Sequence, residues 1–193
     1  SLIAVLTTAN GCGGPGVYLD DLVFWVSAND TNVGIVEAAG KLYTAVGPLI
    51  FRWDETNDFW EAVQSHTTVA AKATSIVSYK DRVYVGYGAT GGYIHGTDTT
   101  WTIESDAGTL DQAYFFCVQG DELWKSETTT TVKKSLDNKN PVTDQDWEVL
   151  PQSTVTEVGN PLTGLYALNG GIVATAERGI YVKYSNELLF QNA

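Results

Sequence analysis

Short runs of aromatic and branched apolar residues recur along the whole chain, separated by Gly, Pro, Asn and Asp. In the stretch 40–64, one run ends at Val46 before a Gly-Pro turn, a second carries Ile50 to Trp53, and a third opens at Phe59 after the polar residues 54–58. Runs of this length and composition predict the strands of an antiparallel meander. No stretch predicts a long amphipathic helix, and residues 67–74, short and rich in Thr, predict a connector.

The same plan recurs with an aromatic residue in its second run and a Trp in its fourth. Seventeen residues separate the two aromatics in the first two copies, and a polar insert stretches the third copy to twenty-three. A fourth, degraded copy runs from Val173 to Phe190 without either aromatic. The repeat positions are Tyr43 and Trp60, Tyr84 and Trp101, and Trp124 and Trp147.

One more apolar run precedes each copy, at 35–38, 76–79, 114–118 and 165–168, which makes four strands per unit. The units recur after 41, 40 and 49 residues, a period typical of propeller blades. Because one such sheet cannot bury both of its faces alone, stacking around an axis is expected. The sequence therefore predicts an all-β fold, a small β-propeller of four-stranded antiparallel blades.

Residues 1–33 look like part of another blade, with apolar runs at 3–6, 17–19 and 23–26 and a glycine-rich turn at 10–16. The expectation is five blades with the first incomplete, and the alternative is four blades plus an N-terminal extension. Either way, residues 1–193 are predicted to form one domain. Its repeats are predicted at 34–74, 75–112, 113–162 and 163–193.

The motif GKLYTAVG followed by FRWDETNDFWEAV resembles a kelch-type blade. The resemblance implies that the Tyr after a tight turn and the Trp after an Asp-Asn turn pack between adjacent sheets. The paired glycines of that family are reduced to Gly47 here, and the fourth copy lacks both aromatics. A weaker resemblance joins residues 135–138 to the Asp-box turn of sialidase-like propellers, although the glycines of that box are missing. Both resemblances indicate architecture and say little about activity.

The chain carries a net charge of −12, and its three arginines are Arg52, Arg82 and Arg178. An acidic surface repels phosphate backbones, so no nucleic-acid partner is expected, and no apolar stretch predicts insertion into a membrane. The alternative is that the acidity serves solubility alone. Cys12 and Cys117 permit a disulfide without predicting one, and the apolar run around Cys117 predicts that its thiol lies in the core.

Two acidic turns could offer oxygen ligands to calcium, although neither has the signature of a calcium loop. One is residues 54–58, and the other supplies the tentative metal ligands Asp137, Asn138, Asp144 and Asp146. The alternative is that these side chains cap their own turns. His66 and His95 have no partner at ligand spacing, so no zinc site is expected and both are predicted to be surface or turn residues.

No sequence motif indicates that the chain is a catalyst. The three arginines occupy different places in the repeat, which argues against a sialidase-like carboxylate site, and no nucleophile motif is present. The chain is therefore predicted not to be an enzyme and to need no cofactor. The competing readings are a glycan hydrolase or lyase with a carboxylate pair at one mouth of the ring, and a soluble lectin.

Four aromatic residues are predicted to be exposed and to stack on sugar rings: Tyr87, Tyr93, Trp101 and Tyr181. The alternative is that they pack between blades. The sequence as a whole favours a non-catalytic structural or interaction propeller, a surface-exposed component of a virion or bacteriophage tail. We expect it to act on the virion or outside cells and to dock on other protein chains of an assembly or on a host glycan.

Overall fold

Sixteen strands form four antiparallel sheets of four strands each, which confirms the all-β prediction. This computed structural model describes residues 30–68, 70–104, 112–135, 147–148, 150, 154–184, 187 and 190–192. Within them, the chain winds through each sheet in sequence order, as the blades of a small propeller do. Helix α1 (Gly88–Gly91) is a single turn in the predicted glycine turn.

Each of the four repeats corresponds to one sheet. Sheet 1 comprises β1 (Asn32–Ala38), β2 (Lys41–Val46), β3 (Leu49–Asp54) and β4 (Phe59–Ser65). Sheet 2 comprises β5 (Ser75–Tyr79), β6 (Arg82–Gly86), β7 (Tyr93–Thr97) and β8 (Thr100–Glu104). Sheet 3 comprises β9 (Phe116–Gln119), β10 (Glu122–Ser126), β11 (Val132–Ser135) and β12 (Trp147–Glu148). Sheet 4 comprises β13 (Leu162–Leu168), β14 (Gly171–Ala176), β15 (Gly179–Tyr184) and β16 (Gln191–Asn192).

Two-residue turns set the register of the first hairpins. The β1–β2 turn has positive φ at Ala39 (49°) and Gly40 (72°), and the β5–β6 turn has it at Lys80 (48°) and Asp81 (58°). Two consecutive positive φ values match the twist of the flanking strands, which is why such turns are favoured in hairpins. The predicted connector 67–74 joins β4 to β5 without regular structure in the residues that are described there.

The hydrophobic core lies between consecutive sheets. One buried cluster joins sheet 1 to sheet 2 and includes Tyr43 and Val85. A second joins sheet 2 to sheet 3 through residues such as Tyr84 and Leu123, and a third joins sheet 3 to sheet 4 through residues such as Trp124. The first strands β1, β5, β9 and β13 touch one another in that order, and no contact of similar extent joins β13 to β1 in the described ranges.

Tyr43 and Tyr84 lie in different sheets, as the blade prediction requires. The ring of Tyr43 packs edge-on against Trp101 of sheet 2, with centroids 5.9 Å apart. Trp147 of sheet 3 packs in the same way on Tyr93 of sheet 2, at 6.2 Å. These contacts place aromatic residues of the repeat between adjacent sheets. Trp60 differs, because its aromatic contact is with Trp53 of its own sheet, at 5.4 Å.

Some expectations lie outside the described residues. They are the partial first blade up to residue 29, the insert 136–146 and Cys12. Cys117 is a free thiol buried between sheets 3 and 4, which confirms its place in the core. Burial raises the pKa of this thiol to about 12.

Candidate functional site

Sheet 4 has one face in the core and one face without a described cover. Leu165, Ile172 and Ala174 point into the cluster shared with sheet 3. Residues directly opposite in the register share a face, so Tyr166, Val173 and Val182 lie on the other side. We call this second side the free face. It comprises Tyr166, Leu168, Val173, Thr175, Ile180, Val182 and Tyr184.

The free face is apolar and open to solvent. Tyr166 is 55% exposed, Ile180 50%, Tyr184 46% and Leu168 40%. Scattered exposed apolar residues are ordinary on proteins, but a contiguous group on one sheet face marks an interaction surface. Sequence reasoning missed this surface. The signal was present, because 180–184 carries apolar side chains at odd and even positions, as a strand covered on both faces does.

A cleft of about 270 Å³ lies on the other side of sheet 4, between that sheet and sheet 3. Its sheet 3 wall is the β9–β10 turn with the side chains that follow it, and its sheet 4 wall is the start of β14 and the end of β15. The side chains that line the cleft include those of Gln119, Asp121, Glu122, Trp124, Lys134, Ile172 and Lys183.

A charge network holds the sheet 3 wall in place. Lys134 Nζ donates to Glu122 Oε1 at 2.8 Å and lies 3.1 Å from Glu148 Oε2. Trp124 Nε1 donates to the other oxygen of Glu122 at 3.2 Å. Burial acts to lower the pKa of Lys134, but its bonds to the two carboxylates outweigh that effect and raise it. Glu122 and Lys134 are therefore already satisfied by partners within the protein.

A buried polar cluster lies within sheet 2. Arg82 Nη2 donates to His95 Nδ1 at 2.9 Å, so His95 Nε2 carries the hydrogen and donates to Glu104 Oε1 at 3.2 Å. Desolvation, together with the nearby Arg82 charge, lowers the pKa of His95 to about 4. Tyr84 stacks on the imidazole with centroids 5.4 Å apart. These contacts hold the ring neutral and fixed in place.

The prediction that both histidines are surface or turn residues is wrong. His95 is fully buried, and His66 is 3% exposed. His66 Nδ1 accepts the N–H of Thr68 at 2.9 Å, and its Nε2 lies 2.8 Å from the Gly91 carbonyl, so the ring ties the connector to helix α1. A polar ring can be buried when each of its nitrogens finds a partner, as both do here.

The four tentative sugar-stacking residues do not share a surface. Tyr87 and Tyr93 are buried in two different core clusters, so the expectation that they are exposed is wrong. Trp101 is half-buried against Tyr43, and its Nε1 donates to the Asp98 carbonyl at 2.9 Å. Tyr181 is half-buried in the core of sheets 3 and 4. Packing between blades, the alternative, accounts for these positions, and ligand binding by them stays a prediction.

In the first acidic turn, residues 54–58, the side chain of Asp54 accepts hydrogen bonds from the turn itself. Asp54 accepts the side-chain amide of Asn57 at 2.8 Å and the backbone N–H of Thr56 at 2.8 Å, and the Asn57 bond is the main cause of its lowered pKa. No group of His, Cys, Asp and Glu in the described part of the chain could hold a metal ion. The tentative ligands Asp137, Asn138, Asp144 and Asp146 lie outside it.

The three arginines occupy separate places. Arg52, on β3, bonds Asp98 of the next sheet and Glu61 of its own, the latter at 2.6 Å. Arg82 donates a hydrogen bond to His95. The backbone N–H of Arg178, in the β14–β15 turn, donates to Asn160 Oδ1 at 2.8 Å. None of the contacts formed by the described residues brings two of these arginines together. No helix in the described ranges is long and apolar enough to cross a membrane.

Comparisons with known proteins bear on the fold alone. No protein-family model matches the chain, and no curated protein matches it. Among solved structures, the computationally designed Ika4 protein is similar, with 14% identity, a TM-score of 0.53, and coverage of 82% of this chain and 93% of that one. The N-terminal domain of Nup159, a propeller, is similar at 9% identity and a TM-score of 0.57.

A third similar structure is the extracellular domain of the hybrid two-component system BT4673 from B. thetaiotaomicron, at 11% identity and a TM-score of 0.53. The matches cover 84% and 87% of this chain, but they span only 47% of the Nup159 domain and 22% of the BT4673 domain. The shared feature is a β-propeller-like, all-β fold, which hosts unrelated functions.

Proposed function

We propose that this chain is a non-catalytic interaction module that docks on a partner protein through the free face of sheet 4. The observation that carries the proposal is the exposure of Tyr166, Leu168, Ile180 and Tyr184 on one sheet face. A partner that covers these side chains removes apolar surface from water. This burial is the main driving force of most protein association.

The chemistry of the free face favours a protein over a glycan. Leu168, Val173, Ile180 and Val182 offer no hydrogen bonds, and sugar hydroxyls buried against them would lose their bonds to water. The tyrosine rings supply large contact areas at low entropic cost, as in many protein interfaces.

Charge narrows the class of partner. At a net charge of −12, two copies of this chain repel each other, whereas a neutral or basic partner does not. We therefore propose a different protein with an apolar patch and a neutral or basic rim. An acidic chain of diverged β repeats suits a surface-exposed virion or bacteriophage tail component, and that context is part of the proposal.

The test is site-specific photo-crosslinking in the native assembly. A photoreactive phenylalanine analogue replaces Tyr166 or Ile180 in turn, and Thr102, exposed on sheet 2, is the control position. Both free-face positions should cross-link to the same protein species, and the control should not. The purified species should then bind the chain at least about tenfold more weakly when Tyr166→Ser and Ile180→Ser are combined, because two interface anchors are lost.

Three outcomes would overturn the proposal. The first is a cross-link to a second copy of this chain, and the second is a cross-link to residues 1–29 of the same chain. The third is unchanged binding of the purified species by the double variant. Saturable binding of a neutral glycan on the free face would favour the lectin reading, and glycan turnover lost with a single carboxylate would favour an enzyme.

A further inference from the structure

We infer that the cleft between sheets 3 and 4 is a binding site for a single carboxylated sugar residue, a hexuronate. This site lies on the opposite face of sheet 4 from the free face, because Ile172 and Lys183 are cross-strand partners and Ile172 belongs to the core. The two proposals therefore rest on different residues, and each can fail without the other.

Among the described residues that line the cleft, one cation is available to a ligand. The ammonium of Lys134 is bound by Glu122 and Glu148. The ammonium of Lys183 instead contacts the Tyr184 carbonyl at 3.5 Å and lies 5.7 Å from the centre of the Trp124 ring. No ion pair to Lys183 is formed within the described ranges, so its ammonium has no anionic partner among those residues and can pair with an incoming carboxylate.

Two residues with hydrogen-bonding side chains line the cleft on its sheet 3 side. Gln119 brings an amide that both donates and accepts, and the exposed Asp121 brings acceptor oxygens. The Asp121 carbonyl accepts the hydroxyl of Tyr79 at 2.5 Å, which ties this turn to sheet 2. Sugar hydroxyls both donate and accept, so they match an amide and a carboxylate side by side.

The size of the cleft and the one available cation among its described lining residues favour a small ligand with a single negative charge. Pockets for drug-sized ligands measure about 300–1,000 Å³, so a cleft of about 270 Å³ suits a smaller ligand such as one sugar ring. Ile172 and Trp124, both almost completely buried, form the apolar base of the cleft. Asp121 and Glu122 oppose any anion here, and the opposition is about twice as strong for a phosphate dianion, so Lys183 alone can offset a monocarboxylate better than a phosphate.

The experiment titrates the isotope-labelled chain with methyl glucuronide and follows its backbone and indole NMR signals. Methyl glucoside, glucose 6-phosphate and glutamate are the comparison ligands. We expect saturable shifts at Gly120, Gly171 and the Trp124 indole N–H, with methyl glucuronide the tightest binder of the four. Lys183→Met should weaken its binding at least about tenfold, because a charge-assisted bond is lost, and Lys183→Arg should retain most of it.

Lys80→Met is the matched control, because Lys80 also lies over an aromatic ring, Tyr79 at 5.1 Å, but does not line the cleft. The inference is overturned if methyl glucoside binds as tightly as methyl glucuronide, or if the shifts fall elsewhere. If glucose 6-phosphate or glutamate binds as tightly as methyl glucuronide or more tightly, the site is not selective for a hexuronate. If Lys183→Met and Lys80→Met weaken the binding of methyl glucuronide equally, Lys183 does not bind the carboxylate.

Discussion

Replacing Tyr43 with Ala should remove a large part of the free energy of unfolding. The side chain is fully buried between sheets 1 and 2, its ring packs on Trp101, and its hydroxyl accepts the N–H of Asp98 at 3.1 Å. Truncating a buried large aromatic residue to Ala costs about 3–5 kcal/mol. The hydroxyl bond accounts for about 1 kcal/mol of this and the ring pair for about 0.5–1.5 kcal/mol.

The measurement is equilibrium urea unfolding, followed by circular dichroism and Trp fluorescence. Domains are stable by about 5–15 kcal/mol, so a loss of about 4 kcal/mol should shift the midpoint strongly without changing the slope. Tyr43→Phe should lose only about 1 kcal/mol, because it removes the hydroxyl alone. Tyr166→Ala is the matched control at an exposed position, and it should cost less than about 1 kcal/mol.

A double-mutant cycle with Trp101→Leu isolates the contact across the two sheets. We expect a coupling energy of about 0.5–1.5 kcal/mol between Tyr43 and Trp101. If the coupling is zero, or if Tyr43→Ala costs no more than Tyr166→Ala, the two sheets do not wedge against each other through this pair. The explanation of the sequence repeat would then be refuted.

Three further predictions concern buried groups. Because the pKa of His95 is lowered to about 4, the unfolded state binds the proton more readily, so wild type should lose about 3 kcal/mol of stability between pH 6.5 and pH 4. The midpoint of urea unfolding should depend less steeply on pH for His95→Gln than for wild type. Equal pH dependence of the two midpoints would contradict this prediction. In a Cys12→Ser background, Cys117 should react with a thiol reagent at least about 100-fold more slowly when folded than in urea, and equal rates would place its thiol outside the core. Gly86→Ala should cost about 1–3 kcal/mol in thermal unfolding, because its methyl would lie 2.6 Å from the Ala113 carbonyl oxygen, whereas Thr102→Ala should be nearly neutral.

The repeat predicted the fold well because two local signals agree. Alternating apolar residues mark each strand, and Gly, Asn and Asp mark each turn, so the strands at 35–38, 76–79 and 165–168 all appear in the structure. Both signals arise within a few residues of chain. Interactions between residues close in sequence therefore determine the strands, and the recurring aromatic pair predicted how the strands of the first three sheets are grouped.

Burial of polar groups could not be predicted in the same way. His95 is buried because Arg82 and Glu104 reach its two nitrogens across neighbouring strands, an arrangement set by the register. The cleft between sheets 3 and 4 likewise depends on how two separately formed sheets meet. The free face of sheet 4 is different, since the two-sided apolar pattern of 180–184 already indicates it.

The order in which β1, β5, β9 and β13 touch makes the chain behave like a short row of coupled units. In such a row, an inner unit must break two interfaces before it opens, whereas an end unit with one described interface breaks only one. Amide hydrogens of sheet 4 should therefore exchange with deuterium sooner than those of sheets 2 and 3. Slower exchange there on addition of a second molecule would report where that molecule has bound.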